Sequence, residues 1–68
     1  MFSSKQGKDE RLEQEVALLE QQPLRPAQIA ERIGVPRSTV MRDLPDLEDR
    51  GVLLQEEEDG RLSIFQRR

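Results

Sequence analysis

The sequence contains no cysteine and no histidine. Without cysteine the chain can form neither a disulfide framework nor a thiolate metal site, and it has no redox switch. The absence of both residue types also removes the usual nucleophile–base pairs of enzymes and the usual zinc ligands. Acidic residues are plentiful, but no second type of catalytic side chain accompanies them. We therefore expect no enzymatic activity, no metal site and no cofactor.

Long hydrophobic runs and aromatic side chains are scarce. Runs such as residues 52–54 are far too short for a membrane span or a signal-peptide core. The two phenylalanines are the only aromatic residues, and apolar residues make up 34% of the chain. At 68 residues the chain has room for one small domain. The sequence predicts a cytoplasmic protein without membrane contact and without an evident small-molecule ligand.

Positive and negative charges are segregated along the chain, although the formal net charge is only −3. Residues 22–42 carry four arginines and one acid, whereas residues 43–59 carry eight acids and one arginine. The last residues are basic again, with Arg61, Arg67 and Arg68. A clustered basic segment is typical of a surface that binds nucleic acid.

Three segments have the apolar spacing of helices. The first helix is predicted to begin near Asp9, to carry its stripe at positions 12, 16 and 19, and to end before Pro23. The second is predicted to begin at Pro26 and to stop at Gly34, although Arg25 is a poor cap. Residues 1–8 lack an apolar period and are predicted to be a disordered tail.

The third helix is predicted to begin at Pro36 and to carry its apolar stripe at Val40, Leu44 and Leu47. Pro45 lies within it. An interior proline removes one backbone hydrogen bond and crowds the preceding turn, which predicts a kink, or a break followed by a further turn.

The period changes after Gly51, where residues 52–55 and 62–65 are predicted to be strands. Asp59 and Gly60 between them predict a two-residue primed hairpin turn. The expected fold class is mainly α with a small β-hairpin: a winged helix-turn-helix domain of three helices and a C-terminal wing. It is expected to span residues 9–66, followed by a basic end at residues 67–68.

The two short helices joined through Gly34 and Val35 have the pattern of a helix-turn-helix, whose second helix can enter the major groove of DNA. At about 100° per residue, the side opposite the apolar stripe of this helix holds Ser38, Met41, Arg42 and Pro45, flanked by Arg37 and Thr39. Hydroxyl groups suit phosphates or bases, and arginine can hold guanine through two hydrogen bonds.

Over roughly residues 26 to 54 the chain resembles the winged-helix domains of the DeoR and MarR types of bacterial transcription regulator. The resemblance rests on the stretch PAQIAERIGVPRSTVMRDLPDLEDRGVL. It implies a DNA-binding, transcription-regulatory module that places the third helix, about residues 36–50, in the major groove. The hairpin at residues 52–65 would be its wing.

The resemblance also implies which residues bind DNA. On the recognition helix they are Arg37, Ser38, Thr39, Met41 and Arg42. Arg25 and Arg32 lie on the preceding helix, which crosses the backbone, and are expected to reach phosphates. Arg61, just past the wing tip, is expected to lie along the backbone or the minor groove. Double-stranded DNA is the expected partner, and both a homodimer and a larger protein partner remain open.

Several observations support an alternative, a winged-helix protein-interaction module with no nucleic-acid role. The wing carries acids at residues 56–59, where such DNA readers usually carry Lys or Arg. In that alternative Met41 is buried against a partner protein, and Phe65 with the tail arginines forms the contact surface. Two structural roles are also open: Arg42 can pair locally with Asp46 four residues on, and Asp43 can be an ion-pair partner within the fold.

Overall fold

The computed structural model describes residues 7–67. Its three helices are α1 (Gly7–Gln21), α2 (Pro26–Ile33) and α3 (Arg37–Asp49), and its two strands are β1 (Val52–Glu56) and β2 (Leu62–Arg67). The strands form an antiparallel hairpin. The predicted fold class, three helices followed by a wing, is therefore confirmed.

The first helix begins two residues earlier than the predicted start at Asp9. Gly7 and Lys8, which the sequence assigned to the tail, form the first turn of α1. Residues 1–6 of the predicted tail and Arg68 of the predicted basic end lie outside the described residues.

The predicted apolar stripes converge on one core. Its fully buried members on the three helices are Leu12, Leu19, Ile29, Ala30, Val40 and Leu47. Leu44, Leu54 and Ile64 are partly buried and pack against both halves of this core. The core therefore links each helix to the hairpin and fixes the exposed side of α3.

Local hydrogen bonds fix the turn between α2 and α3. Gly34 has a φ of 88°, the left-handed conformation that glycine tolerates, and its N–H donates to the Ala30 carbonyl at 2.8 Å. At the other end of α2, the side-chain oxygen of Gln28 accepts the Arg25 N–H at 2.9 Å. Gln28 thus satisfies a backbone donor near the helix start, where the Arg25 side chain offers no capping acceptor.

Pro45 does not interrupt α3, which runs as one helix from Arg37 to Asp49. Of the two alternatives predicted at this proline, a kink or a break, the break is therefore wrong. Leu44 and Leu47 on either side of it both pack into the core. We attribute the continuous helix to this packing, which offsets the backbone hydrogen bond that proline cannot donate.

The hairpin turn differs from the predicted one. The Glu57 carbonyl accepts the Gly60 N–H at 3.0 Å, so Glu58 and Asp59 are the central residues, and Gly60 follows them with a φ of 89°. This is a three-residue loop in which a glycine in the left-handed conformation follows the turn. The predicted two-residue primed turn centred on Asp59 and Gly60 is wrong, because glycine occupies the position after the turn.

A short backbone bridge joins the hairpin to the helix-turn-helix. Leu24 and Leu62 exchange both backbone hydrogen bonds, at 3.0 and 2.7 Å, and both side chains are buried. Further along β2, the pairing skips Phe65 because Leu54 faces Ile64 while Leu53 faces Gln66. Phe65, which this pairing skips, is 64% exposed.

Ion pairs connect α1 to α3 and its C-terminal end. The Arg11 guanidinium donates to both carboxylate oxygens of Asp43, at 2.6 and 2.9 Å. Two further pairs join Lys8 to Asp46 and Asp9 to Arg50. The structural role predicted for Asp43 is confirmed, and its partner lies on another helix.

Candidate nucleic-acid interface

The solvent-facing side of α3 is the one predicted from the helical period. Arg37, Ser38, Met41 and Arg42 are exposed, because Val40 and Leu47 direct the opposite side into the core. Thr39 is only half-buried and lies at the edge of this surface. A 44% exposed Met41 gives the surface an apolar centre between hydroxyl and guanidinium groups.

The basic residues fall into two groups. Those that pair with acids are Lys8, Arg11, Arg50, Arg61 and Arg67. The remaining basic residues of segment 7–67 form no ion pair with any other described residue; they are Arg25, Arg32, Arg37 and Arg42. All four lie on or beside α2 and α3, and all four are exposed. An anionic ligand can therefore bind these guanidinium groups without breaking an internal ion pair.

The local ion pair considered between Arg42 and Asp46 does not form. Asp46 pairs instead with Lys8 of α1. The cross-helix pair leaves Arg42 exposed on the outer side of α3, one turn beyond Ser38.

A cleft of about 330 Å³ brings Arg25, Arg37 and Met41 together. It lies between the start of α2, the first two turns of α3 and the hairpin, and Glu56 of β1 lines its other side. The Leu24–Leu62 bridge holds the hairpin next to the start of α2, and Leu62 lines the cleft. The sequence predicted a strand at residues 52–55 and assigned Glu56 to the acidic loop after it, whereas β1 extends to Glu56 and places this residue at the cleft.

Arg32 is not part of this cleft. It borders a separate depression of about 290 Å³ with Gln14, Leu18 and Ile33. The structure thus places two of the predicted arginines, Arg25 and Arg37, in one cleft, and Arg32 beside α1.

Two acids of the hairpin, Glu57 and Asp59, already have hydrogen-bond or ion-pair partners within the wing. Glu57 accepts a hydrogen bond from the Ser63 hydroxyl at 2.8 Å, and Asp59 pairs with Arg61 at 2.7 Å. Asp59 also accepts the Arg61 N–H at 3.2 Å, and this backbone hydrogen bond is the main reason that the pKa of Asp59 lies below its usual value. Arg61, the predicted wing contact, therefore already has an acidic partner.

Two further features of residues 7–67 concern metal ions and membranes. No three Asp or Glu side chains in that segment converge as metal ligands would. The longest helix of the segment, α1, has 15 residues, and none of its helices could span a bilayer.

The IclR helix-turn-helix domain is the family whose sequence pattern matches residues 17–57, which is more than half of the chain. No curated protein and no solved structure matches. The match runs from the second half of α1 through β1, and so includes the helix-turn-helix and the first strand of the wing.

This match corrects one prediction and supports another. The resemblance to the DeoR and MarR types indicated the right class, a winged helix-turn-helix regulator, but the family is IclR. The family is one of DNA-binding regulators and not of enzymes. The chain belongs to the IclR helix-turn-helix family and is a DNA-binding, transcription-regulatory module.

Proposed function

We propose that this module binds double-stranded DNA with α3 in the major groove and with the cleft between α2, α3 and the hairpin facing the phosphate backbone. The single observation that carries the proposal is the distribution of ion pairs. Arg25, Arg32, Arg37 and Arg42 have no acidic partner among the described residues, whereas each of the other basic side chains of that segment has one. Phosphate contacts supply most of the sequence-independent affinity for DNA.

On α3, Ser38 and Arg42 lie one turn apart on the exposed side and are the proposed contacts to base edges. Met41 lies between them and is the proposed apolar contact, suited to a thymine methyl group. Arg37 begins the helix and is the proposed phosphate contact. Thr39 is half-buried, so its proposed role is limited to the edge of the interface.

Arg25 and Arg32 are the proposed phosphate contacts of α2, from its N-terminal and C-terminal ends. Arg25 shares the cleft with Arg37, which favours a single phosphate strand passing both. Arg32 lies near α1 and would meet the backbone at a separate point.

Arg61 is assigned the smallest contribution, because Asp59 already neutralises it. Each exposed carboxylate near a phosphate costs about 0.3–1 kcal/mol after screening. We infer that the hairpin is a weak contact, because Glu56 lines the cleft and Asp59 lies close enough to interact with Arg25, so both carboxylates reduce the attraction of the cleft for phosphate.

A single module of this size buries only about 600–1,000 Å² of protein surface on DNA. Useful affinity therefore requires a second copy on a neighbouring half-site, or a larger partner that adds contacts. Either assembly would act in the cytoplasm, where a bacterial-type regulator meets its DNA.

The test is an amide chemical-shift titration with generic duplex DNA at low and at moderate salt. Amides of α3 and of the start of α2 should shift, and added salt should weaken binding as counterion release requires. Arg42→Ala should lower the affinity about 5- to 100-fold, the range for loss of one arginine contact.

Arg50→Ala is the matched control, because Arg50 follows the same helix but pairs with Asp9. It should leave the affinity within about twofold of the wild type, because Arg50 lies beside α1 and away from the proposed DNA contacts. Equal losses in the two variants would contradict the proposed interface. Failure of every amide to shift at low salt would contradict the proposed DNA contact as a whole.

A further inference from the structure

An acidic side chain lies in the interface between α1 and α3, on the side of α3 away from the proposed DNA contacts. Glu15 is 1% exposed and shares the buried side of α1 with Leu12 and Leu19. No donor of residues 7–67 hydrogen-bonds to either of its carboxylate oxygens, and the side chain placed to share a hydrogen bond with it is the carboxylate of Asp43, which can only accept. An ionised carboxylate without a partner is costly to bury, whereas a neutral carboxyl is far less so.

The groups around Glu15 come from two helices. The charged residues that influence it are Arg11 and Lys8 on α1 and Asp43 on α3. Arg11 is already held by both oxygens of Asp43, and Lys8 pairs with Asp46. Both cations thus already pair with carboxylates of α3, and Glu15 is the acid of this group that has no basic partner.

Burial raises the pKa of Glu15 to about 8, with the neighbouring Asp43 as a further cause. The Arg11 guanidinium lowers the pKa of Asp43 below its usual value. Asp43 therefore remains ionised as the acceptor while Glu15 keeps its proton, and the two carboxyls together carry a single negative charge opposite Arg11.

We propose that Glu15 is a positioning residue for the recognition helix: a proton on its carboxyl group, directed at Asp43, keeps α3 packed against α1, and loss of this proton displaces α3 and weakens DNA binding. The effect on DNA rests on the proposed function. Asp43 lies directly beside Arg42 in the chain. A shift of the Asp43 backbone away from Glu15 therefore moves the arginine that is proposed to enter the groove.

The proton on Glu15 affects α3 through the side chains that α1 and α3 pack against each other. Apart from the ion pairs, α1 and α3 contribute side chains to both parts of the core, Leu12 and Leu47 to one part and Leu19 and Val40 to the other. When Glu15 ionises, a second negative charge lies beside that of Asp43. The guanidinium of Arg11, which already pairs with Asp43, is the single positive charge opposite the two. The two helices can relieve this repulsion by moving apart and admitting water.

The first measurement follows the protein without DNA. The side-chain carboxyl carbon of Glu15 and the backbone amides of α3 are titrated by NMR, with Glu15→Gln as the variant that keeps a neutral, hydrogen-bonding side chain. The carboxyl of Glu15 should titrate near the pKa of about 8, and the α3 amides should shift with the same midpoint. In Glu15→Gln that midpoint should be absent.

The second measurement is fluorescence anisotropy with a labelled random-sequence duplex at constant ionic strength. If only the protonated form holds α3 in place, wild-type affinity should fall about tenfold between about pH 7 and about pH 9. The chain has no histidine or cysteine, so few other groups titrate in this range. Glu15→Gln should show a flat profile, and Glu13→Gln, which changes an exposed acid of the same helix, should behave like the wild type.

Each outcome decides the proposal. A Glu15 carboxyl that titrates near the ordinary glutamate value, α3 amides that do not follow it, or a Glu15→Gln profile like that of the wild type would overturn it. Complete loss of helical circular dichroism together with affinity would also overturn it, because Glu15 would then control folding alone. Absence of DNA binding at every pH, with the NMR midpoints as expected, would reject the proposed function while retaining the control of α3 by Glu15.

Discussion

Replacing Glu15 with glutamine should stabilise the fold at neutral pH. The pKa of this carboxyl rises from 4.5 to about 8 on folding, so between these values the unfolded chain releases a proton that the folded chain keeps. Stability is therefore lost as the pH rises from 4.5, and the loss levels off above about 8. At about 1.4 kcal/mol per pH unit, retaining this proton costs the wild type about 3 kcal/mol at about pH 7.

Glutamine has nearly the same shape as protonated glutamate and no proton to lose. Glu15→Gln should raise the free energy of unfolding by about 2–3 kcal/mol at about pH 7, and Tm by on the order of 10–20 °C for a domain of this size. The measurement is urea and thermal unfolding followed by helical circular dichroism, because the chain has no Trp or Tyr for fluorescence.

The pH profile of stability separates this explanation from a general gain in helix propensity. Wild-type stability should decline between about pH 5 and about pH 8, and Glu15→Gln should lack this decline. The exposed variant Glu13→Gln should keep the wild-type slope. A Glu15→Gln protein that is less stable than the wild type at neutral pH, or that keeps its slope, would refute the reasoning.

Two further predictions concern the core and the helix-turn-helix turn. Leu47→Ala removes a fully buried side chain where α1, α3 and β1 meet, and should lower the free energy of unfolding by about 2–5 kcal/mol. Leu53→Ala, at a half-buried position, should cost clearly less in the same urea titration; equal losses would contradict the central place of Leu47 in the core. Gly34→Ala places a Cβ in open space but at a φ of 88°, so backbone strain alone should cost about 1–2 kcal/mol. Gly7→Ala, in the first turn of α1 and also free of steric contact, should show no such loss by thermal unfolding, and a similar loss there would contradict the strain argument.

The sequence predicted the helical part of the fold well because its signals are local. The apolar positions of α2 and α3 recur at the helical period, and Gly34 and the prolines mark the boundaries. The same period identified the exposed side of α3, since a helix that buries Val40 and Leu47 must expose Ser38 and Arg42. These features need no knowledge of which other segment supplies the packing.

Features that depend on two distant segments could not be predicted in this way. The continuity of α3 through Pro45 depends on core packing on both sides of the proline, and local propensity opposes it. Leu24 sits in a short linker, and its importance comes only from its backbone bridge to Leu62.

The functional surface also has features that follow from the sequence and features that depend on the packing of distant segments. The sequence alone determined that this chain is a winged helix-turn-helix with arginines on the outer side of its third helix. It could do so because the composition and the spacing of apolar residues are local properties of the chain. Tertiary structure decided which arginines are available, since Lys8 of α1 takes Asp46 and so leaves Arg42 without an acidic partner among the described residues. It also placed Glu15 against Asp43, because two acids so far apart in the sequence become neighbours only when the helices pack. Pairing between charges and burial of polar groups are consequences of packing, and the order of residues alone does not contain them.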